Sequence, residues 1–221
     1  MTTAAARSRL LDAQSATGGR LTNFAFAVAP IGVLAGWTVM RLGASRSTGV
    51  GWALAHSIWL ISYALFGIIV AELYRRIRAQ HGGGKVVAVL SAGIAAAGIA
   101  AIAGQMIVDL VVGLAASDRA QMHELFQRAF AVPGVHLVLY RFGPMFLIIG
   151  LAALFTHLAV IRRAFTLTTV LALVGIVLIG MEGAAGGAVR LLLMPAGVGC
   201  LWLALNGVRR TSTLGRAGLS K

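Results

Sequence analysis

An aspartate stands in the stretch GQMIVDLVVGL (residues 104–114), where Asp109 is surrounded by Met106, Ile107, Val108, Leu110, Val111 and Val112. An ionisable group in such a run costs a few kcal/mol to place in a membrane, so it normally faces a cavity or an interior partner. Gln105 lies one helical turn from it on the same face. The stretch WALAHSIW sets His56 among Trp52, Ser57 and Trp59, and VHLVLYRFGP brings His136, Tyr140, Arg141 and Pro144. Glu182 and Arg190 bracket GAAGGA (183–188). A carboxyl in a dry pocket is pushed toward its protonated form and can then act as a general acid. Aromatic faces such as Trp37, Trp52, Trp59, Tyr63, Phe142 and Phe146 suit the same chemistry, because their negative quadrupoles stabilise developing positive charge.

These residues must be positioned by elements that the composition identifies. Hydrophobic residues make up 59% of the 221 and charged residues 11%, whereas soluble domains carry about a quarter charged. The charges cluster between apolar runs long enough to cross about 30 Å of hydrocarbon as helix. A barrel would show short alternating segments, and none is present. The sequence therefore predicts an all-α, polytopic transmembrane bundle of six spans: Leu21–Met40, Val50–Tyr74, Val86–Ala116, Val135–Ile161, Phe165–Glu182 and Ala188–Asn206. The third is longer than a perpendicular crossing needs, so it tilts or projects. Lys and Arg divide thirteen to six between the two sides, which places both termini in the cytoplasm and the chain, multi-pass, in the cell (inner) membrane. The net charge of +13 is topology signal and headgroup contact, and leaves no soluble basic patch for nucleic acid.

The organisation follows. Residues 1–20 are a polar cytoplasmic tail without the core and cleavage site of a signal peptide. Residues 21–207 form the transmembrane domain, and 208–221 a basic cytoplasmic tail. Between the third and fourth spans, residues 117–133 read as an outer amphipathic helix, with Met122, Leu125, Phe126, Ala129 and Phe130 on one face. Pro133-Gly134 ends it. Runs such as AGIAAAGIAAIAG (92–104) let helices approach closely in lipid. HGGGK (81–85) lacks the context of a phosphate loop. The lone Cys200 excludes a disulfide framework.

On this topology Asp109, Gln105, His56, His136, Tyr140, Arg141, Glu182 and Arg190 all fall toward the outer half, while the inner half holds only Glu72 and His157 near span ends. The asymmetry implies a polar cavity opening to the outer leaflet. Each residue also has a plainer role: Arg141 and Arg190 as interface anchors, Asp109 as a structural acid paired with an arginine, His56 as a bonded core histidine.

In size, helix count and sparse intramembrane acids the chain resembles the small integral-membrane terpene cyclases of meroterpenoid and indolosesquiterpenoid pathways. Asp109 in QMIVDLV and Glu182 in GMEGA carry the resemblance. It implies acid-initiated cyclisation of an isoprenoid already dissolved in the bilayer, with Asp109 and Glu182 catalytic and no cofactor or metal. His56, Gln105, Trp52, Trp59, Tyr140, Arg141 and Arg190 would then bind the lipophilic substrate. The aspartate-rich motifs of soluble terpene synthases are absent. Two other classes fit the residues: a small proton-coupled carrier, dimeric at this size and broken at Pro30 or Pro144, and a non-catalytic accessory subunit. Haem ligation by His56 and His136, and zinc ligation by His123, Glu124 and His136, have no supporting spacing.

Overall fold

The computed structural model describes the backbone of residues 2–43, 48–78, 84–161, 166–183 and 185–217, and the side chains of those between 18 and 209. Among them there is no strand. The helices are α1 (Thr2–Arg41), α2 (Val50–Arg78), α3 (Lys85–Ala115), α4 (Arg119–Ala131), a π-helix (Val135–Phe142) continuing into α5 (Gly143–Ile161), α6 (Leu167–Met181) and α7 (Gly187–Ala217).

Five of these elements are long and apolar enough to cross a membrane: Gly18–Arg41, α2, α3, the π-helix joined to α5, and Gly187–Arg209. Helix α6 is apolar but has 15 residues, about 22 Å at helical rise. The start expected for that span, Phe165, lies outside the described residues. The 31 residues of α3 extend about 46 Å, well beyond the hydrocarbon thickness. Helix α1 runs unbroken from Thr2 to Arg41, straight through Pro30, so no break in the backbone marks the expected boundary at residue 20. Likewise α7 continues to Ala217 across the expected boundary at 208, and 218–221 lie outside the described residues.

The six apolar elements close into a ring in the order α1–α2–α3–α5–α6–α7, with α7 back on α1 and α2 also touching α5 across the middle. Each presents one face inward. On α2 this is Ala55, His56, Ser62, Phe66, Ile69, Val70, Leu73 and Ile77, the three-to-four spacing of a single helical stripe. The outward faces are apolar too: Val86, Val89, Leu90, Ile107, Val111 and Leu114 on α3 are all exposed. A contiguous apolar exterior of this extent belongs against lipid rather than water.

Small residues set the tightest contact. A Cβ on Gly98 of α3 would lie 2.3 Å from the main-chain nitrogen of Leu147 in α5, and one on Gly150 would lie 2.4 Å from that of Ala95. The two backbones touch, as packing in lipid favours. Helix α4 rests on α3 and the π-helix. It is capped by Asp118, whose carboxylate accepts from the Gln121 N–H at 2.9 Å, the usual device for an orphan donor. Gly134 then turns the chain with φ +89°, a left-handed conformation that favours glycine. The amide of Gly143 reaches back five residues to the Val138 carbonyl. The following residue, Pro144, has no N–H to continue an α ladder and its ring would crowd the Tyr140 carbonyl. Of the two prolines read as breaks, only Pro144 coincides with a change of helix type.

Candidate proton-transfer site

The polar residues of α2, α3 and the π-helix meet at Asp109. Asp109 is 5% exposed and His56 3%. The Tyr140 hydroxyl donates to Asp109 Oδ1 at 2.7 Å, and His56 Nε2 faces Oδ2 at 3.4 Å. On its other side, His56 Nδ1 lies 2.8 Å from the main-chain carbonyl of Trp52. A carbonyl only accepts, so Nδ1 carries a proton. A proton carried by either Nε2 or Oδ2 would face the other atom across their 3.4 Å gap,.

Trp52 fixes the geometry. Its indole N–H donates to the main-chain carbonyl of Asp109 at 2.7 Å, and its ring stacks on His56 at 4.3 Å between centroids. Only glycine is accommodated beneath it, because a Cβ on Gly113 would fall 2.1 Å from the indole. Trp59 meets His56 edge-on at 5.2 Å and donates to the Val33 carbonyl of α1 at 2.9 Å. From above, α4 adds Phe126, edge-on to Trp52 at 6.2 Å, and Phe130, edge-on to Tyr140 at 5.0 Å. Met122 is buried with Val112 and Ala116 of α3 and its following residue. The Asp109–His56 pair is therefore roofed by aromatic rings.

Of the residues singled out from sequence, Asp109, His56, Trp52, Trp59 and Tyr140 come together here. Gln105 is half-buried, Arg141 is exposed, and neither makes a hydrogen bond or ion pair among the described residues. Glu182 heads a different cluster. Its Oε1 accepts from Arg190 Nε at 2.7 Å, Arg41 Nη2 at 2.8 Å and Trp37 Nε1 at 3.3 Å, with the Arg41 guanidinium over the Trp37 ring. Burial pushes the Glu182 carboxyl up, but the bonds from Arg190, Trp37 and Arg41 outweigh it and hold the group below its ordinary range. A carboxylate held ionised by two guanidiniums anchors α1, α6 and α7 together and is not placed to give up a proton. Of the two histidines in the haem option, His56 is buried with Nε2 toward Asp109, while His136 is exposed and stacks on Tyr140. Among the described residues no three His, Cys, Asp or Glu side chains gather as metal ligands would.

Between the helices the ring leaves a partly open cavity of about 200 Å³. All six helices line it, through Val33, Phe66, Ile102, Leu147, Ile176 and Val198 among others. Asp109 is not part of its wall. Ile102 is, and it lies seven residues below Asp109 on the same face of α3, about 10 Å along the axis, with Gln105 on that face between them.

Phe126 and Phe130 were legible as one face of an amphipathic helix but not as the roof of this site. The cavity has no sequence signal, because its lining has the composition of any apolar core. Comparison of the chain with protein-family models, curated proteins and solved structures finds no match.

Proposed function

We propose that the chain is a six-span integral-membrane protein of the cell (inner) membrane, with both termini cytoplasmic, that acts on a lipophilic, isoprenoid-type molecule by general-acid catalysis from the Asp109–His56 pair. The observation that carries this reading is the buried Asp109–His56 pair, with Nε2 and Oδ2 3.4 Å apart, sheltered among aromatic rings and about two turns above an apolar cavity. The thirteen-to-six division of basic residues supports the orientation,, with α6 supplying the remaining, shorter crossing.

In the proposed step a proton held by the Asp109–His56 pair passes from Asp109 to a substrate alkene. The alkene π pair forms the new C–H bond and leaves a carbocation, which a second alkene captures in ring closure. Loss of a neighbouring C–H proton to His56 restores a double bond, and the pair exchanges its proton with water before the next turnover. The reaction is an isomerisation and consumes no oxidant, reductant or cofactor. Trp52, Phe126, Phe130 and Trp59 present ring faces and edges around the charge as it develops,. Tyr140 holds Asp109 in position, and Glu182, with Arg41 and Arg190, fixes the neighbouring corner of the bundle.

The test is conversion of a polyprenyl substrate by vesicles containing the purified chain. Product formed by the parent and lost in Asp109→Asn, with tryptophan emission unchanged, supports the reading; equal conversion by both refutes it. The cavity at the centre of the ring also favours a proton-coupled carrier, in which the same pair would load a proton with a bound solute. Solute-dependent acidification of vesicles without any chemical change in the solute would decide for that reading.

A further inference from the structure

We infer that the central cavity selects lipophilic molecules carrying a hydrogen-bond acceptor, such as a ketone, quinone or ether oxygen, and that Tyr63 is the residue that recognises it. This rests on the proposal above only in naming the substrate class of that protein. Tyr63 is the one lining residue with a polar side chain; the others are aliphatic, phenylalanine, proline or glycine. It sits near the middle of α2 with its ring beside Phe66 at 6.2 Å. Its hydroxyl makes no hydrogen bond among the described residues, and it is not among the side-chain atoms sealed from any accessible space. A hydroxyl placed in an apolar environment without a partner costs on the order of 1–3 kcal/mol by protein mutational measures. Phenylalanine would fill the same volume without that cost, so the hydroxyl is informative about what the cavity receives.

Size agrees. An apolar cavity of about 150 Å³ accepts benzene, and this one, at about 200 Å³, accepts a ring with a substituent or a section of prenyl chain. Exposed Gly180 is part of its rim, so a longer chain can pass outward toward lipid there.

The experiment uses the full chain in phosphatidylcholine vesicles, photolabelled with a 4-alkylbenzophenone, with labelled peptides located by mass spectrometry. Decyl phenyl ketone and decylbenzene serve as competitors. Label is expected around Ile102, Leu147 and Ile176. The ketone is expected to compete about three- to tenfold better than the hydrocarbon, the worth of one neutral hydrogen bond. Tyr63→Phe should erase that preference while hydrocarbon competition persists, and Leu151→Trp should abolish labelling. Label spread over lipid-facing residues such as Val89 and Ile107, or a ketone preference that survives Tyr63→Phe, would overturn the inference. Asp109→Asn should label normally, so a failure of the catalytic proposal leaves this result standing and the converse is equally visible.

Discussion

Replacing Tyr140 with phenylalanine removes one hydroxyl and nothing else from the Asp109 cluster. That hydroxyl donates to Oδ1 at 2.7 Å, a short bond inside a site almost closed to solvent. A hydrogen bond to a charged group contributes about 1.5–3 kcal/mol and one between neutral groups about 0.5–1.5 kcal/mol. Tyr140→Phe should therefore destabilise the folded chain by at least about 0.5 kcal/mol, and by more than about 1.5 kcal/mol where the pair rests as carboxylate and imidazolium. The magnitude thus reports which form is populated. The assay is reversible unfolding in mixed detergent micelles followed by tryptophan emission, for which Trp52 and Trp59 are local reporters. A double-mutant cycle isolates the contact: in an Asp109→Ala background the acceptor is gone, and Tyr140→Phe should then be close to neutral. Equal costs of Tyr140→Phe in both backgrounds would refute the assignment of Tyr140 as the partner of Asp109.

Gly113→Ala should destabilise by about 1–3 kcal/mol and shift tryptophan emission, since its Cβ would land 2.1 Å from the Trp52 indole; Gly93→Ala, at a position with nothing within 4 Å, should do neither. Glu182 predicts an acid limb. Its folded carboxyl titrates below its ordinary value of 4.5, so its contribution is complete above that value and is lost as pH falls through the folded one. Thermal stability measured across this range should fall less steeply in Glu182→Gln than in the parent. Impermeant thiol labelling of single cysteines, in a Cys200→Ser background, should reach position 127 on α4 from outside and position 15 near the start of α1 only from the cytoplasmic face.

The helical, membrane-borne character was legible because it depends on composition and run length, which folding does not alter. Five long apolar helices coincide closely with expected spans, and the amphipathic stretch became α4, because each carries its own sequence pattern. The π-helix was not legible. Pro144 signalled a discontinuity, but which way the backbone would relax depends on Gly134 and on contact with α3. Asp109, His56 and Tyr140 could be placed at similar depth by counting residues along each span, whereas their meeting required the order of helices around the ring. Counting also put Glu182 toward the same half, but its partners are Arg41 and Arg190, on α1 and at the start of α7, rather than residues of α2, α3 or the π-helix. The Trp52 N–H to the Asp109 carbonyl joins an indole to a main-chain atom, a contact that sequence spacing does not encode.

The most direct test of proton transfer from Asp109 is the fate of that proton. In vesicles equilibrated with deuterium oxide, an alkene-terminated polyprenyl substrate should emerge cyclised, with a single deuterium in a carbon–hydrogen bond that does not exchange back, and Asp109→Asn should form none of this product. A cyclised product free of deuterium, or the same labelled product from Asp109→Asn, would contradict the account.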